Sequence, residues 1–274
     1  MTTILAPVDG LLRAGGRDVH VTVSGTPNPD VPPLLLIMGL GGNSGMWQPA
    51  RRMLDATRQT IAFDVPGTGR SPDSRLPMPL ALLGRLAGQV LDRVGAGRVD
   101  VAGVSWGGML AQQLALTHRR RVRRAVLANT HFGWGSVPAT PSAMRTLLST
   151  GRYHDAASLR QAARSFGGRA GAMGNGMREH AAARLAHPPS TRGYWYQMLA
   201  LTGWSSLPVL PLIRQPTLLL AGGDDPAVPA VNARIMSWVL PRAELVVIPD
   251  GGHLMVFDQT DEVVPHITRF LDAG

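Results

Sequence analysis

One short segment limits the folds open to this chain more than any other: Gly103-Val104-Ser105-Trp106-Gly107. It follows an apolar run and precedes a helix-like stretch, so Gly-x-Ser-x-Gly stands where a strand turns directly into a helix. Such a turn strains the serine and pushes its hydroxyl clear of the sheet. A Cβ two positions before or after it would strike the opposite arm of the turn. The segment predicts a nucleophilic Ser105 in an α/β protein; the alternative is a glycine-rich turn in which the serine has no role.

Strand-like and helix-like segments alternate along most of the chain. Seven short apolar runs are candidate strands: 19–23, 34–38, 60–64, 99–104, 125–129, 217–221 and 245–248. Helical spacing of apolar residues falls between them, most clearly over 46–57 and 80–94. Nearly continuous apolar strands that alternate with helices predict a mostly parallel sheet covered by helices on both faces.

This alternation breaks over residues 134–212, which contain no convincing strand but hold all three tyrosines and three of the six tryptophans. We expect a helical lid inserted into an α/β core formed by residues 1–133 and 213–274. Concentrated aromatic side chains would give the lid an apolar wall that selects the substrate; packing of the lid onto the core is the alternative use for them. The predicted pocket residues are Met38, Gly39, Trp134, Tyr194, Trp195 and Trp204.

A serine nucleophile needs a histidine base, which a carboxylate in turn orients, and both follow the serine along the chain on loops at strand ends. Of the eight histidines, only His253 lies in a loop directly after a late strand candidate. The other seven do not fit this position. His20 lies in a predicted strand, and His118 and His131 follow the serine too closely. His154, His180 and His187 lie in the insertion, and His266 lies in the terminal helix.

Two adjacent aspartates compete for the role of the acid. Asp225 precedes a proline, which favours an extended backbone and an inward side chain, so it is preferred over Asp224. The other position where an acid could lie, directly after 125–129, reads Thr-His-Phe-Gly and offers no carboxylate. The sequence therefore predicts Asp225, with Asp224 as the alternative.

Acyl transfer also needs two hydrogen-bond donors for the developing oxyanion. The expected donors are the backbone N–H groups of Trp106 and of Leu40, which lies in the glycine-rich loop after 34–38. Glycines after a strand also suggest a dinucleotide site, with Asp64 ending the next strand, but Ser44 stands where the third glycine belongs. No metal-binding motif occurs, so neither a cofactor nor a metal is expected.

Composition narrows the partners, the chemistry and the cellular location that are expected of this protein. The net charge is +9, and all 27 basic residues are arginines. Their densest run, 119–124, is typical of a solvated helix end, so nucleic acid is not an expected partner. The absence of cysteine excludes disulfides and thiolate chemistry. There is no apolar stretch of membrane-spanning length and no signal-peptide pattern, which predicts a cytoplasmic protein without a transmembrane segment.

With these residues placed, the chain resembles the α/β-hydrolase superfamily over essentially its whole length, and 63–71 looks like the family's D-x-P-G-x-G-x-S loop. It is most similar to the intracellular poly(3-hydroxyalkanoate) depolymerases that act on medium-chain-length polyesters. The segments that carry this likeness are 103–108, 110–113, 194–195, 203–204, 215–218, 225–232, Trp238 and 250–254. Met38-Gly39 departs from the family's usual Asn-Gly, and an extra glycine precedes His253.

The resemblance implies an α/β-hydrolase fold and an ester hydrolase in which Ser105, Asp225 and His253 are nucleophile, acid and base. It implies a polyester or medium-chain acyl ester as substrate and contact with the surface of storage granules. The alternatives are a general carboxylesterase, lipase or lactonase for medium-chain acyl esters, a C–C bond hydrolase with the same triad, and a non-catalytic receptor on this fold.

Overall fold

A single mixed sheet forms the centre of the computed structural model, which describes residues 3–153 and 155–273. Its strands are β1 (Val8–Ala14), β2 (Arg17–Gly25), β3 (Leu34–Ile37), β4 (Gln59–Phe63), β5 (Val99–Val104), β6 (Val122–Ala128), β7 (Thr217–Gly222) and β8 (Ala243–Ile248). They lie in the order β1-β2-β4-β3-β5-β6-β7-β8. The pairs from β4 to β8 are parallel, whereas β1–β2 and β2–β4 are antiparallel. The predicted mostly parallel sheet is confirmed.

Strand β1 was not among the predicted strands. Its residues alternate between exposed and partly buried, so it lacks the continuous apolar run that marks the inner strands. It pairs with β2 around Gly15 and Gly16, whose φ angles are +56° and +74°. Two glycines with positive φ are the usual signal of a two-residue hairpin turn, and this signal could have identified the strand.

Helices cover both faces of the sheet. They are α1 (Gln48–Leu54), α2 (Leu80–Arg93), α3 (Trp106–Thr117), α4 (Pro141–Leu148), α5 (Ala156–Arg164), α6 (Asn175–Ala186), α7 (Thr191–Leu199), α8 (Val231–Val239), α9 (Met255–Asp258) and α10 (Thr260–Asp272). One apolar core lies between the sheet and α2, α3 and α8. A second lies between the other face and α1, α9 and α10. Helix α2 begins and ends close to the predicted 80–94 because its apolar stripe is buried in the first core.

Helices α4 to α7 all lie between β6 and β7, within residues 134–212, which we call the helical insertion. Apart from an isolated bridge between Gly133 and Ser205, the described residues of this segment are helical or irregular. His154 lies outside the described residues. None of the helices in the described part of the chain combines the length and hydrophobicity needed to cross a bilayer.

Candidate active site

Ser105 lies in the turn between β5 and α3 with φ +55° and ψ −122°, a strained conformation for a residue with a side chain. A Cβ added at Gly103 would lie 2.3 Å from the Gly107 carbonyl oxygen, and one at Gly107 would lie 2.3 Å from the Ile37 oxygen. The two glycines are therefore required for the turn to close, and closure holds the Ser105 side chain at the carboxyl ends of the central strands.

A continuous hydrogen-bond chain joins the three predicted triad residues. His253 Nε2 lies 3.0 Å from Ser105 Oγ, and His253 Nδ1 lies 2.8 Å from Asp225 Oδ2. Both His253 and Asp225 are buried. The other carboxylate oxygen of Asp225 accepts the N–H groups of Ala227 and Val228 at 2.8 and 2.9 Å. The acid is thus fixed by its own loop and holds the imidazole toward the serine.

The neighbouring aspartate has a different environment. Asp224 is exposed, and its Oδ2 accepts the N–H of Gly168 at 2.9 Å, in the helical insertion. It therefore joins the insertion to the loop after β7, and among the described residues it forms no hydrogen bond or ion pair with His253. The geometry favours Asp225 as the orienting acid.

His131 is a site neighbour that the sequence analysis did not select. Burial, together with a smaller effect of charge on His253, lowers the pKa of His131 to about 4, although the charge of Asp225 opposes the shift. Its Nδ1 accepts the Gly133 N–H at 3.0 Å, as expected of a neutral ring. The residue was set aside because it follows Ser105 closely in sequence. Its position just beyond β6, at the sheet edge that carries the triad, was the available signal.

The loop after β3 passes very close to the serine. A Cβ at Gly39 would lie 3.3 Å from the Val104 oxygen and 3.4 Å from Ser105 Cβ. This close approach places the next residue, Leu40, against the same cavity as Ser105. Trp106 begins α3 directly after the serine. The two predicted oxyanion donors therefore belong to the two segments that border the Ser105 hydroxyl.

The cavity at Ser105 is small, about 40 Å³, which is room for roughly one water molecule. Its wall is mainly apolar and includes Leu147, Phe166, Leu254 and Phe257. Two buried polar side chains of α6 complete it. Burial lowers the pKa of His180 well below its usual value, and the positive charge of Arg184 adds to this effect. The cavity in this conformation is smaller than a medium-chain acyl group.

The predicted pocket residues divide into two groups. Met38 and Gly39 line the cavity at Ser105, whereas the four aromatic residues lie outside it. Tyr194 is buried and donates its hydroxyl to the carbonyl of Leu147. The Trp204 indole donates to the Gln113 side chain at 3.0 Å. Trp134 and Trp195 are largely exposed, 79% and 42%. A role in contacting substrate stays a prediction for these four aromatic residues.

Asp64 has an internal role that explains the D-x-P-G-x-G-x-S loop. Its carboxylate accepts the backbone N–H groups of Ser44 and Arg70, at 2.5 and 2.9 Å, and so ties the loop after β3 to the loop after β4. A Cβ at Gly69 would lie 2.2 Å from this carboxylate. The ribose contact expected of a dinucleotide site is therefore not available, because the carboxylate is already engaged by the backbone.

Known proteins resemble this chain in sequence and in fold. The sequence matches the model of the Alpha/beta hydrolase family over residues 34–266. It is 38% identical over 248 residues to the poly(3-hydroxyalkanoate) depolymerase of Ectopseudomonas oleovorans, covering 89% of this chain and 85% of that protein.

Solved structures resemble the fold over nearly the full length. The enol-lactonase from Burkholderia xenovorans has a TM-score of 0.80 at 23% identity, covering 95% of this chain and 99% of that one. The esterase from Exiguobacterium antarcticum has a TM-score of 0.78 at 17% identity, covering 97% and 100%. At these identities the likeness shows a shared fold alone.

Proposed function

Because this chain belongs to the alpha/beta hydrolase family, as its sequence resemblance predicted, we propose that it cleaves carboxylic esters through a covalent acyl-enzyme. Its family and its hydrolase relatives identify it as a serine hydrolase. The observation that carries the proposal is the chain of hydrogen bonds from Ser105 through His253 to Asp225, 3.0 and 2.8 Å long.

In the proposed reaction, Ser105 Oγ attacks the ester carbonyl while His253 Nε2 takes its proton. The tetrahedral oxyanion accepts hydrogen bonds from the Leu40 and Trp106 amides. His253 then protonates the leaving alcohol, which leaves an acyl group on Ser105. In the second half, His253 removes a proton from a water molecule as the water oxygen attacks the acyl carbon. His253 then returns that proton to Ser105 Oγ, the Ser105–acyl bond breaks, and the carboxylic acid is released. Asp225 stabilises the imidazolium in both halves without itself becoming protonated.

We further propose that the acyl group is of medium length and that the natural ester is a poly(3-hydroxyalkanoate). The relative with 38% identity over 89% of this chain is a depolymerase of such polymers. The apolar wall formed by Leu147, Phe166 and Phe257 suits an alkyl side chain. Each methylene buried there contributes about 0.8 kcal/mol.

The helical insertion is proposed to act as the lid of this site and as the surface that meets the polymer. Leu147 of α4 and Arg184 of α6 line the cavity at Ser105, so we expect these helices to shift when a substrate enters. On the outside of α7, Trp195 and Leu199 lie four residues apart on one face and are 42% and 53% exposed. Such exposed apolar side chains would adsorb to a hydrophobic granule.

Clearing of polymer latex tests this function. We expect the protein to clear a medium-chain-length polyhydroxyalkanoate latex, to leave a short-chain latex turbid, and to hydrolyse p-nitrophenyl octanoate; Ser105→Ala should abolish both activities. Octanoate hydrolysis with neither latex cleared would reassign the protein as a general carboxylesterase. Inertness toward esters and toward a serine-directed fluorophosphonate would favour a receptor, and a preference for vinylogous diketones a C–C bond hydrolase.

A further inference from the structure

One residue of the helical insertion contacts both segments that border the Ser105 hydroxyl. Gln197, on α7, accepts the Gly41 N–H on its side-chain Oε1 at 2.6 Å. Its main-chain carbonyl accepts the indole N–H of Trp106 at 2.9 Å. Gln197 and Trp106 are buried, with 3% and 1% exposure, so water does not compete for these bonds.

The bond to Gly41 bears directly on Leu40. The carbonyl of Leu40 and the N–H of Gly41 belong to the same planar peptide unit. Gln197 holds the N–H of that unit, and the hydroxyl of Tyr153 donates to its carbonyl at 2.8 Å. The insertion therefore forms hydrogen bonds with both polar groups of this one peptide plane. The Leu40 N–H belongs to the preceding peptide plane, which is joined to this one only through the two backbone angles of Leu40. Holding the Leu40–Gly41 plane therefore restrains the direction that the Leu40 N–H can take.

The core restrains this loop by a turn in which the Gly42 N–H donates to the Gly39 carbonyl at 3.0 Å and by packing of the Leu40 side chain, whereas both polar groups of the peptide between Leu40 and Gly41 are bound by the insertion. Leu40 stands between Gly39 and Gly41, and Gly41 adopts a φ of +67°, which glycine reaches without strain but also leaves readily. An oxyanion donor acts only when it is already aimed at the position where charge develops. A loop flanked by glycines needs outside contacts to stay aimed.

We propose that Gln197 is a positioning residue for the oxyanion hole, so that seating of α7 assembles the catalytic geometry as well as covering the cavity. The inference rests on the proposed ester hydrolysis, in which Leu40 and Trp106 donate to the oxyanion. When α7 moves away from the core, Leu40 loses the restraint on its peptide plane and Trp106 loses its indole partner. Opened enzyme binds substrate but stabilises the transition state poorly.

Two substitutions at Gln197 test this role. Gln197→Met keeps the length of the side chain but removes the acceptor for Gly41, and we expect kcat to fall roughly 10- to 100-fold with KM within about threefold of wild type. Gln197→Glu retains an acceptor oxygen and should recover most of kcat. Gln59→Met is the matched control, because buried Gln59 also accepts a backbone N–H on Oε1, from Leu5 at 2.8 Å, far from Ser105.

An inhibitor pair separates oxyanion stabilisation from general damage. Ser105 Oγ attacks the carbonyl carbon of a trifluoromethyl ketone, its proton passes to His253, and the resulting oxyanion lies in the oxyanion hole. The methyl ketone with the same chain binds mainly as the unreacted ketone. In Gln197→Met we expect the Ki of the trifluoromethyl ketone to rise by the same factor by which kcat falls. The Ki of the methyl ketone should stay within about threefold.

Tyr153→Phe provides a second variant that removes only one hydroxyl and acts on the same peptide plane. It should lower kcat in the same way, and it keeps the test open if Gln197→Met does not fold. Wild-type kcat in both variants, or a change in KM alone, would overturn the inference while Ser105-dependent hydrolysis stands. Absence of any Ser105-dependent hydrolysis in the wild type would instead overturn the proposed function.

Discussion

The phenyl ring of Phe166 lies against the imidazole of His253, with the ring centres 5.5 Å apart, and the Phe166 carbonyl accepts the His253 backbone N–H at 2.7 Å. Phe166 follows α5 in the helical insertion, so the proposed base is positioned by a segment outside the α/β core. Together with the contacts of Gln197, this means that the insertion contacts both the proposed base and the loop of Leu40, the proposed oxyanion donor. Rigid support of this kind keeps a site in its productive geometry.

The first prediction concerns the nucleophile. Ser105→Ala should lower kcat on p-nitrophenyl octanoate by roughly 10⁴-fold or more, because removal of the hydroxyl removes the covalent step. The melting temperature should stay close to that of wild type, since alanine fits the same turn. Ser237→Ala, which changes a serine of α8, is the control for protein handling. Activity that survived Ser105→Ala would place the chemistry elsewhere.

The second prediction concerns the extra glycine before His253, which the sequence resemblance left as a departure from the family. A Cβ at Gly252 would lie 2.3 Å from the Gly167 oxygen, so the His253 loop passes directly against the insertion. Gly252→Ala should therefore displace His253, with a loss of kcat and a lower melting temperature. Gly97→Ala, where a Cβ meets nothing within 4 Å, should change neither. Equal behaviour of the two variants would contradict this account of the glycine.

Much of the fold followed from local patterns. The buried parallel strands are nearly continuous apolar runs, and the glycines around Ser105 are dictated by backbone contacts within a few residues. Strand β1 was not predicted because it is half exposed and contains no continuous apolar run. Alternation between exposed and buried residues over one short strand is a weak signal.

The support of the site could not be predicted in the same way. Gln197 is separated from Gly41 by 156 positions and from Trp106 by 91. Their contacts depend on how the helical insertion folds back over the core, and no periodicity in the sequence encodes that path. His131 was missed for the opposite reason. Its closeness to Ser105 along the chain hid the fact that β6 carries it to the same sheet edge.

The third prediction concerns pH and stability. Burial raises the pKa of Asp258 to about 6, and neither of its carboxylate oxygens has a hydrogen-bond partner within the described residues. The folded protein therefore retains this proton above the unfolded pKa of 3.8. Because the folded state binds more protons between pH 3.8 and about 6, this group lowers the stability as pH rises through that window.

Asp258→Asn should remove that loss. In urea unfolding, we expect the variant to match wild type near pH 3, where the aspartate is neutral in both states, and to be more stable at pH 7. The gain should develop between pH 4 and pH 6 (the window that the shifted pKa sets). A variant that is equally or less stable than wild type at pH 7 would show that Asp258 has a stabilising partner when charged.

The fourth prediction concerns acyl-chain length. The cavity at Ser105 is lined by Leu147 of α4, whereas the next residue, Leu148, is 49% exposed and lies outside it. We expect kcat/KM on p-nitrophenyl esters to rise from acetate to octanoate by up to about fourfold per buried methylene. Leu147→Ala enlarges the cavity and should move the optimum to longer chains. Leu148→Ala, the same change one residue along, should leave the profile where it was. A wild-type profile that peaks at acetate, or a shift common to both variants, would remove Leu147 from the acyl pocket.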